Sequence, residues 1–226
     1  MRIGVIVAMD KEMELLLDEI DNASRVLDNN MTFVIGKIGG IDVVAMKCGI
    51  GKVNAAVGTT LMVSKFAPDA VINTGVAGAG DSSLAMGDVV VGERVAYHDV
   101  WCGPETELGR IQGLPHYFEA DKKLVDGVPD EAGIHKGLIC SGDWFVDTTE
   151  RALAIKRDYP DVLALDMESG SIAQVCHVMH VPFMSLRVIS DSPMASHDNT
   201  LDYTAFWQDA PRHTFAILKS ILSSLR

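Results

Sequence analysis

The apolar positions fall into buried runs and helical stripes that alternate along the chain. Residues 2–8 (R-I-G-V-I-V-A) are almost continuously apolar, as in a strand of parallel sheet covered on both faces. Met13, Leu15, Leu16 and Leu17 then begin an amphipathic helix, so Glu12 sits where the first strand hands over to the first helix. Residues 32–38 and 41–47, joined by Gly39-Gly40, predict a β-hairpin. A Gly-rich turn (C-G-I-G) opens a helix over 52–66, and residues 70–73 form a buried strand running into N-T-G-V-A-G-A-G.

Residues 87–97, 137–140 and 162–165 read as further strands, with a short helix at 121–125 and an N-cap hydroxyl at Thr148 or Thr149. A helix follows Asp166 and Glu168, with Ile172, Ala173, Val175 and Cys176 on its apolar face, until Pro182 stops it. Residues 183–189 are then a buried strand, with Arg187, Ser190 and Asp191 at or just past its C-terminal end. Residues 204–225 predict a last helix, which Pro211 interrupts or kinks. Residues 100–118 carry little periodicity, and long loops of this kind are often lids or interface pieces. No linker or internal repeat divides the chain, which reads as one α/β domain over residues 1–226.

Composition narrows the function classes. At 226 residues, 48% hydrophobic and 22% charged, the chain is long enough for a substantial core and too apolar to be disordered. No apolar run approaches the roughly 18–20 residues of a spanning helix, and the N-terminus lacks a signal peptide's longer apolar region and cleavage site. The net charge of −12 argues against nucleic acid or an anionic membrane as partner, yet leaves an uncharged nucleoside open. Four scattered cysteines without a C-x-x-C pair read as free thiols in a reducing compartment, the cytoplasm.

Several polar positions have plain structural readings. An acid at Glu12 complements a helix N-terminus, and the Gly-rich turn suits tight packing as well as an anion. It also lacks the spacing of a Walker loop. His98-Asp99 has no third metal ligand at useful spacing, and His177 and His180 fit the end of a helix better than a metal site. Nevertheless, strand ends of an α/β sheet converge on one crevice, which would bring Glu12, Glu168, Asp191 and Arg187 together. Crowded carboxylates separate their pKa values, so that one serves as acid and another as base. Phe145 adds a flat apolar surface for an aromatic ligand. The residues alone point to acid–base chemistry on a small, neutral, partly aromatic substrate.

A set of motifs then resembles the 5′-methylthioadenosine/S-adenosylhomocysteine nucleosidase family of the nucleoside phosphorylase superfamily. They are M-R-I-G-V-I-V-A-M-D-K-E, C-G-I-G-K-V-N-A-A, V-I-N-T-G-V-A-G, G-D-V-V-V, Y-H-D, S-G-D-W-F-V, D-M-E-S-G-S-I-A and R-V-I-S-D, in family order over residues 1–193. The resemblance implies a single-domain three-layer α/β sandwich with a central mixed, largely parallel sheet. It implies hydrolysis of the adenine–ribose bond of methylthioadenosine, S-adenosylhomocysteine or 5′-deoxyadenosine, with no cofactor or metal. By the same resemblance Asp191 protonates the departing adenine, Ser190 holds that carboxyl, and Glu12 takes the proton of water. Glu168 binds the ribose hydroxyls, and Arg187 lies near the water and the acids. Met167 packs under the ribose, Phe145 stacks on adenine, and the backbone of Val146 reads the purine edge. Met9, Ile50 and Phe206 line the 5′-alkylthio pocket, and a homodimer brings the 100–118 loop near the interface.

The chain departs from the family pattern in three places. Val76 stands where serine is usual, which removes a hydroxyl that helps phosphorylases hold phosphate. The 100–115 stretch matches poorly, with Trp101 its one aromatic residue, and Asp166 stands where glutamate is usual. A purine nucleoside phosphorylase of the same fold would need a basic phosphate site, and M-D-K-E offers Lys11 but no arginine. A non-catalytic nucleoside-binding protein would have no use for both an acid and a base.

Overall fold

The computed structural model of the chain describes residues 1–194, 206 and 211–225. Strand β1 (Arg2–Val7) pairs in parallel with β4 (Ile41–Lys47) on one side and β5 (Ala70–Ala79) on the other. Beyond β4 the sheet continues antiparallel through β3 (Met31–Ile38) to β2 (Asp21–Asp28). Beyond β5 it runs to β10 (Phe183–Asp191), β6 (Val89–Tyr97), β8 (Ile134–Ser141) and β9 (Val162–Asp166), and β9 pairs back onto β5. Five strands therefore close into a ring, from which β1, β4, β3 and β2 extend as an arm. The short β7 (Phe118–Glu119) borders β6. The sheet is mixed, as expected. Parallel and antiparallel pairings are equally common among the described strands, rather than largely parallel, because the β2–β3–β4 meander and the return of β9 are antiparallel.

Burial on both faces explains the continuous apolar runs. Ile3, Val5 and Val7 of β1 join a core shared with helices α1 (Asp10–Leu17), α3 (Lys122–Asp126) and α6 (Pro211–Ser224). Ile6 and Ala8 face a second core, shared with α2 (Lys52–Phe66) and α5 (Ser169–Val178). Strand β10 alternates in the same way: Met184, Leu186 and Val188 enter the first core, while Phe183 and Ile189 enter the second. Helix α4 (Thr149–Asp158) covers a smaller cluster with β8 and β9. On α6, Phe215, Ile217, Leu218, Ile221 and Leu222 are all buried, each contributing about 1.5–3 kcal/mol of transfer free energy.

The hairpin is present, and Gly39 and Gly40 adopt φ of 54° and 85°, the positive values that a two-residue turn of this hand requires. Strand β2 is the element the pattern does not predict. It is a mostly exposed edge strand, D-N-A-S-R-V-L-D, with almost no apolar face to signal it. Three strands run longer than expected. β5 passes through the glycine cluster to Ala79, β8 starts at Ile134, and β10 ends at Asp191, which puts Arg187 in the strand interior. Pro211 opens α6 rather than kinking it, since the first turn has no use for its missing N–H. Of the predicted helix before it, only Phe206 lies among the described residues.

Candidate active site

An open cleft lies at the ends of β1, β5, β9 and β10. Its walls include eleven of the twelve residues expected there: Met9, Glu12, Ile50, Val76, Phe145, Val146, Met167, Glu168, Arg187, Ser190 and Asp191. Phe206 is the exception; it is buried in the first core and is not among the described walls.

The centre of the site is Arg187, which is 1% exposed. Position 187 faces the second core, pairs with Gly75 on β5, and follows Ser185, which pairs with Asn73. One guanidinium nitrogen donates to Asn73 Oδ1 at 2.5 Å and to Ser169 Oγ at 3.2 Å, and also forms an ion pair with Asp166. The same nitrogen lies 3.6 Å from Glu168 Oε2. Burial opposes the charge on Arg187, but Asp166, Glu168 and Glu12 outweigh it and hold the guanidinium above its usual range. Ser169, the first residue of α5, bonds Asp166 through both its N–H and its hydroxyl and meets Ser185 Oγ at 2.7 Å. A polar seam thus crosses an otherwise apolar core.

Glu12 fills an oxygen-sized cradle of backbone amides. Its Oε2 accepts from Ala8 and Met9 N–H at 2.8 and 2.9 Å, and Oε1 accepts from Val76 N–H at 3.0 Å. The helix-start role and the site role therefore belong to one carboxylate: it caps α1 and also forms the floor of the cleft. Burial raises its pKa despite the opposing pull of Arg187 and the three amides. The glycine cluster is explained by the same contacts. A Cβ at Gly75 would lie 2.8 Å from an Arg187 nitrogen and closer still to Glu12 Oε1, so the close approach there is made by the protein's own side chains.

Glu168 caps α5 in backbone conformation, and its Oε1 accepts from Gly51 N–H at 2.9 Å. The Gly-rich turn therefore does hold an acid, and that acid is the carboxyl of Glu168. Burial pushes this carboxyl up to about 7, with Arg187 opposing and Asp166 adding to the rise. At the end of β10, Ser190 Oγ donates to Asp191 Oδ1 at 2.6 Å, and Asp191 is 3% exposed. Asp191 pairs with Gly78, where a Cβ would stand 3.4 Å from its Oδ2.

Sequence reasoning did not assign Asp166, Asn73 and Ser169 to the site, though polar residues inside apolar strands were the available signal. It also did not assign the support of the 142–146 wall. Asp99 accepts Lys52 Nζ at 2.8 Å and Asp143 N–H at 2.8 Å, and Asp143 in turn accepts Lys52 N–H at 2.7 Å. This lattice ties the wall carrying Phe145 to the turn that holds Glu168. Residues His177 and His180 sit exposed at the end of α5, as the helix-end reading expects.

Two predictions arise from this geometry. Gly75→Ala costs about 1–3 kcal/mol in urea unfolding and about 100-fold in turnover, because Glu12 and Arg187 must part; parent-like turnover would contradict it. The folded protein also holds a proton on Glu168 that the unfolded chain releases near its ordinary value of 4.5. That contribution to stability is complete below about pH 4.5 and lost as pH rises through about 7. The urea midpoint therefore declines more steeply between about pH 5 and about pH 7.5 in the parent than in Glu168→Gln. Equal slopes would show that Glu168 titrates normally.

Comparison with known proteins agrees with this geometry. Residues 2–223 match the family model of the Phosphorylase superfamily. The 5′-methylthioadenosine/S-adenosylhomocysteine nucleosidase of Desulfotalea psychrophila is 37% identical over 232 positions, covering 100% of this chain and 99% of that protein. The nucleosidase of Lysinibacillus sphaericus is 39% identical, with 99% and 100% covered. The solved structure of the S. pneumoniae nucleosidase with the transition-state inhibitor MT-ImmA has a TM-score of 0.93 at 34% identity, with 100% of both chains covered. Sequence and fold agree from end to end, and the chain belongs to the 5′-methylthioadenosine/S-adenosylhomocysteine nucleosidase family of the Phosphorylase superfamily.

Proposed function

We infer that the protein is a purine nucleosidase that hydrolyses the N-glycosidic bond of 5′-methylthioadenosine and S-adenosylhomocysteine, giving adenine and the free 5-substituted ribose. The observation that carries this reading is the occupation of the amide cradle by Glu12. A phosphorylase needs an open anion site beside the sugar. Here the amides of Ala8, Met9 and Val76 and the adjacent guanidinium are engaged by carboxylates of the protein itself. A buried carboxylate with a raised pKa is instead suited to take a proton from water.

In the reaction, the bond between C1′ and the purine nitrogen breaks with its electron pair passing to the purine. Asp191 gives its proton to the leaving adenine, held for that transfer by Ser190. Water adds to C1′ from the opposite side and yields its proton to Glu12. Positive charge develops on the ribose as the bond lengthens. Glu168, whose pKa burial raises, ionises more readily beside that charge, so the site favours it over the neutral substrate. Met167 underlies the sugar, Phe145 stacks on the base, and the backbone of Val146 reads its edge. Met9 and Ile50 receive the 5′ substituent, and Phe206, which lies in the first core, takes no part in it. Val76, which lacks a hydroxyl, keeps the water's surroundings apolar on that side.

The remaining features fit the same reading. Helices α1, α3 and α6 on one side of the sheet and α2 and α5 on the other make a three-layer arrangement over a single domain. Free cysteines at 48, 102, 140 and 176 suit the cytoplasm. Val53 and Val57 on α2, 74% and 47% exposed, lie one turn apart beyond the cleft residue Ile50, and this apolar stripe fits a second copy of the chain. Trp101 of the 100–118 loop is likewise an exposed large apolar side chain.

Two measurements test the proposal. Methylthioadenosine yields adenine and methylthioribose at equal rates with and without phosphate, whereas sugar 1-phosphate as product would make the protein a phosphorylase. In the same assay Glu12→Gln loses about 100- to 10,000-fold in turnover, and Asp191→Asn binds a nucleoside analogue without hydrolysing it. Near-normal turnover in either variant would move the base or the acid elsewhere. Analytical ultracentrifugation gives twice the chain mass for the parent and the single-chain mass for Val53→Glu/Val57→Glu. A monomeric parent would remove the dimer.

A further inference from the structure

Beside Phe145 stands a second aromatic side chain that the proton transfers do not use. Trp144 lines the cleft and is 53% exposed. Neighbouring residues of an extended segment point to opposite sides, yet Trp144 and Phe145 both wall the same cleft. A tight turn permits this, with Trp144 N–H donating to the Gly142 carbonyl at 2.8 Å. The segment is fixed upstream by the Asp143, Lys52 and Asp99 lattice and downstream by Thr148, whose hydroxyl accepts from Arg151 N–H at 3.4 Å.

The indole itself is held from one side. The Arg151 guanidinium lies 4.4 Å over its ring centroid and is steered by an ion pair with Asp147 at 2.5 Å. Arg151 is not a wall of the cleft. A guanidinium over one face of an exposed indole restrains its orientation. A large aromatic ring that is exposed, restrained and placed on the wall of a cleft offers a prepared surface to a flat ligand.

We propose that Trp144, positioned by Arg151, is a second aromatic contact for the purine half of the ligand and therefore for adenine as released product. This rests on the nucleosidase reading. It assigns to Trp144 the selectivity for the base and to Arg151 a positioning role that acts only through the indole. Loss of one base–aromatic contact weakens binding about tenfold.

Calorimetric titration of adenine into the parent, Trp144→Ala, Arg151→Ala and the double variant tests this, with inhibition by 5-methylthioribose measured alongside. Adenine is expected to bind about tenfold more weakly to Trp144→Ala and about threefold more weakly to Arg151→Ala. The double variant should be no weaker than Trp144→Ala, because Arg151 has nothing left to position. Trp144→Phe should recover most of the affinity, and methylthioribose should inhibit all forms alike. Unchanged adenine affinity in Trp144→Ala overturns the proposal, as does an equal loss for methylthioribose or an additive loss in the double variant. Adenine that fails to bind the parent overturns the nucleosidase reading and the proposal together.

Discussion

A single guanidinium buried among three carboxylates is the constraint on which the rest of the site depends. Arg187 stands in the middle of a strand with both faces in core, where an unpaired charge would be prohibitive. Its neutralisation requires Asp166 and Glu168 at the junction of β9 and α5, Glu12 at the start of α1, and Asn73 on β5. Those partners come from three separate parts of the chain. The pairing of β5 with both β1 and β10, and its closure with β9, is what brings them to one point. Gly75 completes the arrangement by leaving room for two side chains to meet over its backbone.

The charges do not balance, and that imbalance is the chemical content of the site. One positive group faces three acids, so at least one acid holds its proton more tightly than usual. Burial raises the pKa of both Glu12 and Glu168, repulsion from Asp166 and Glu12 adds to the rise at Glu168, and Arg187 stays firmly charged. A cleft whose buried acids ionise more readily beside a cation is poorly matched to a neutral nucleoside and well matched to a sugar that becomes cationic. The Glu12 cradle also separates hydrolysis from phosphorolysis, because the amides that could hold an anion already hold one.

The α/β class, most strands and the cleft walls Glu12, Phe145, Glu168, Arg187 and Asp191 were legible in the chain because their signals are local, whereas Met9, Ile50, Val76, Val146, Met167 and Ser190 were marked for the cleft only by the family motifs. Continuous apolar runs mark strands buried on both faces, and charged residues at their ends stand out against them. What could not be read has a nonlocal cause. Strand β2 is an exposed edge held by its neighbour rather than by its own apolar face. The ring closure depends on β9 meeting β5 over two residue pairs, which no periodicity encodes. Asp166 looked like a milder substitute for glutamate, whereas its carboxylate is the direct ion-pair partner of Arg187. Glu12 shows why a local reading can be correct and incomplete: the helix-capping acid and the cleft acid are the same group.

The central claim is that the site is built for positive charge on the sugar. The most direct test compares the parent's affinity for a cationic iminoribitol analogue of methylthioadenosine with that for its neutral ribose isostere, by competition in one assay. The account predicts that the cation binds at least about 100-fold more tightly. Equal affinity for the two would contradict it, since three acids around one guanidinium would then confer no preference for the charge that bond cleavage creates.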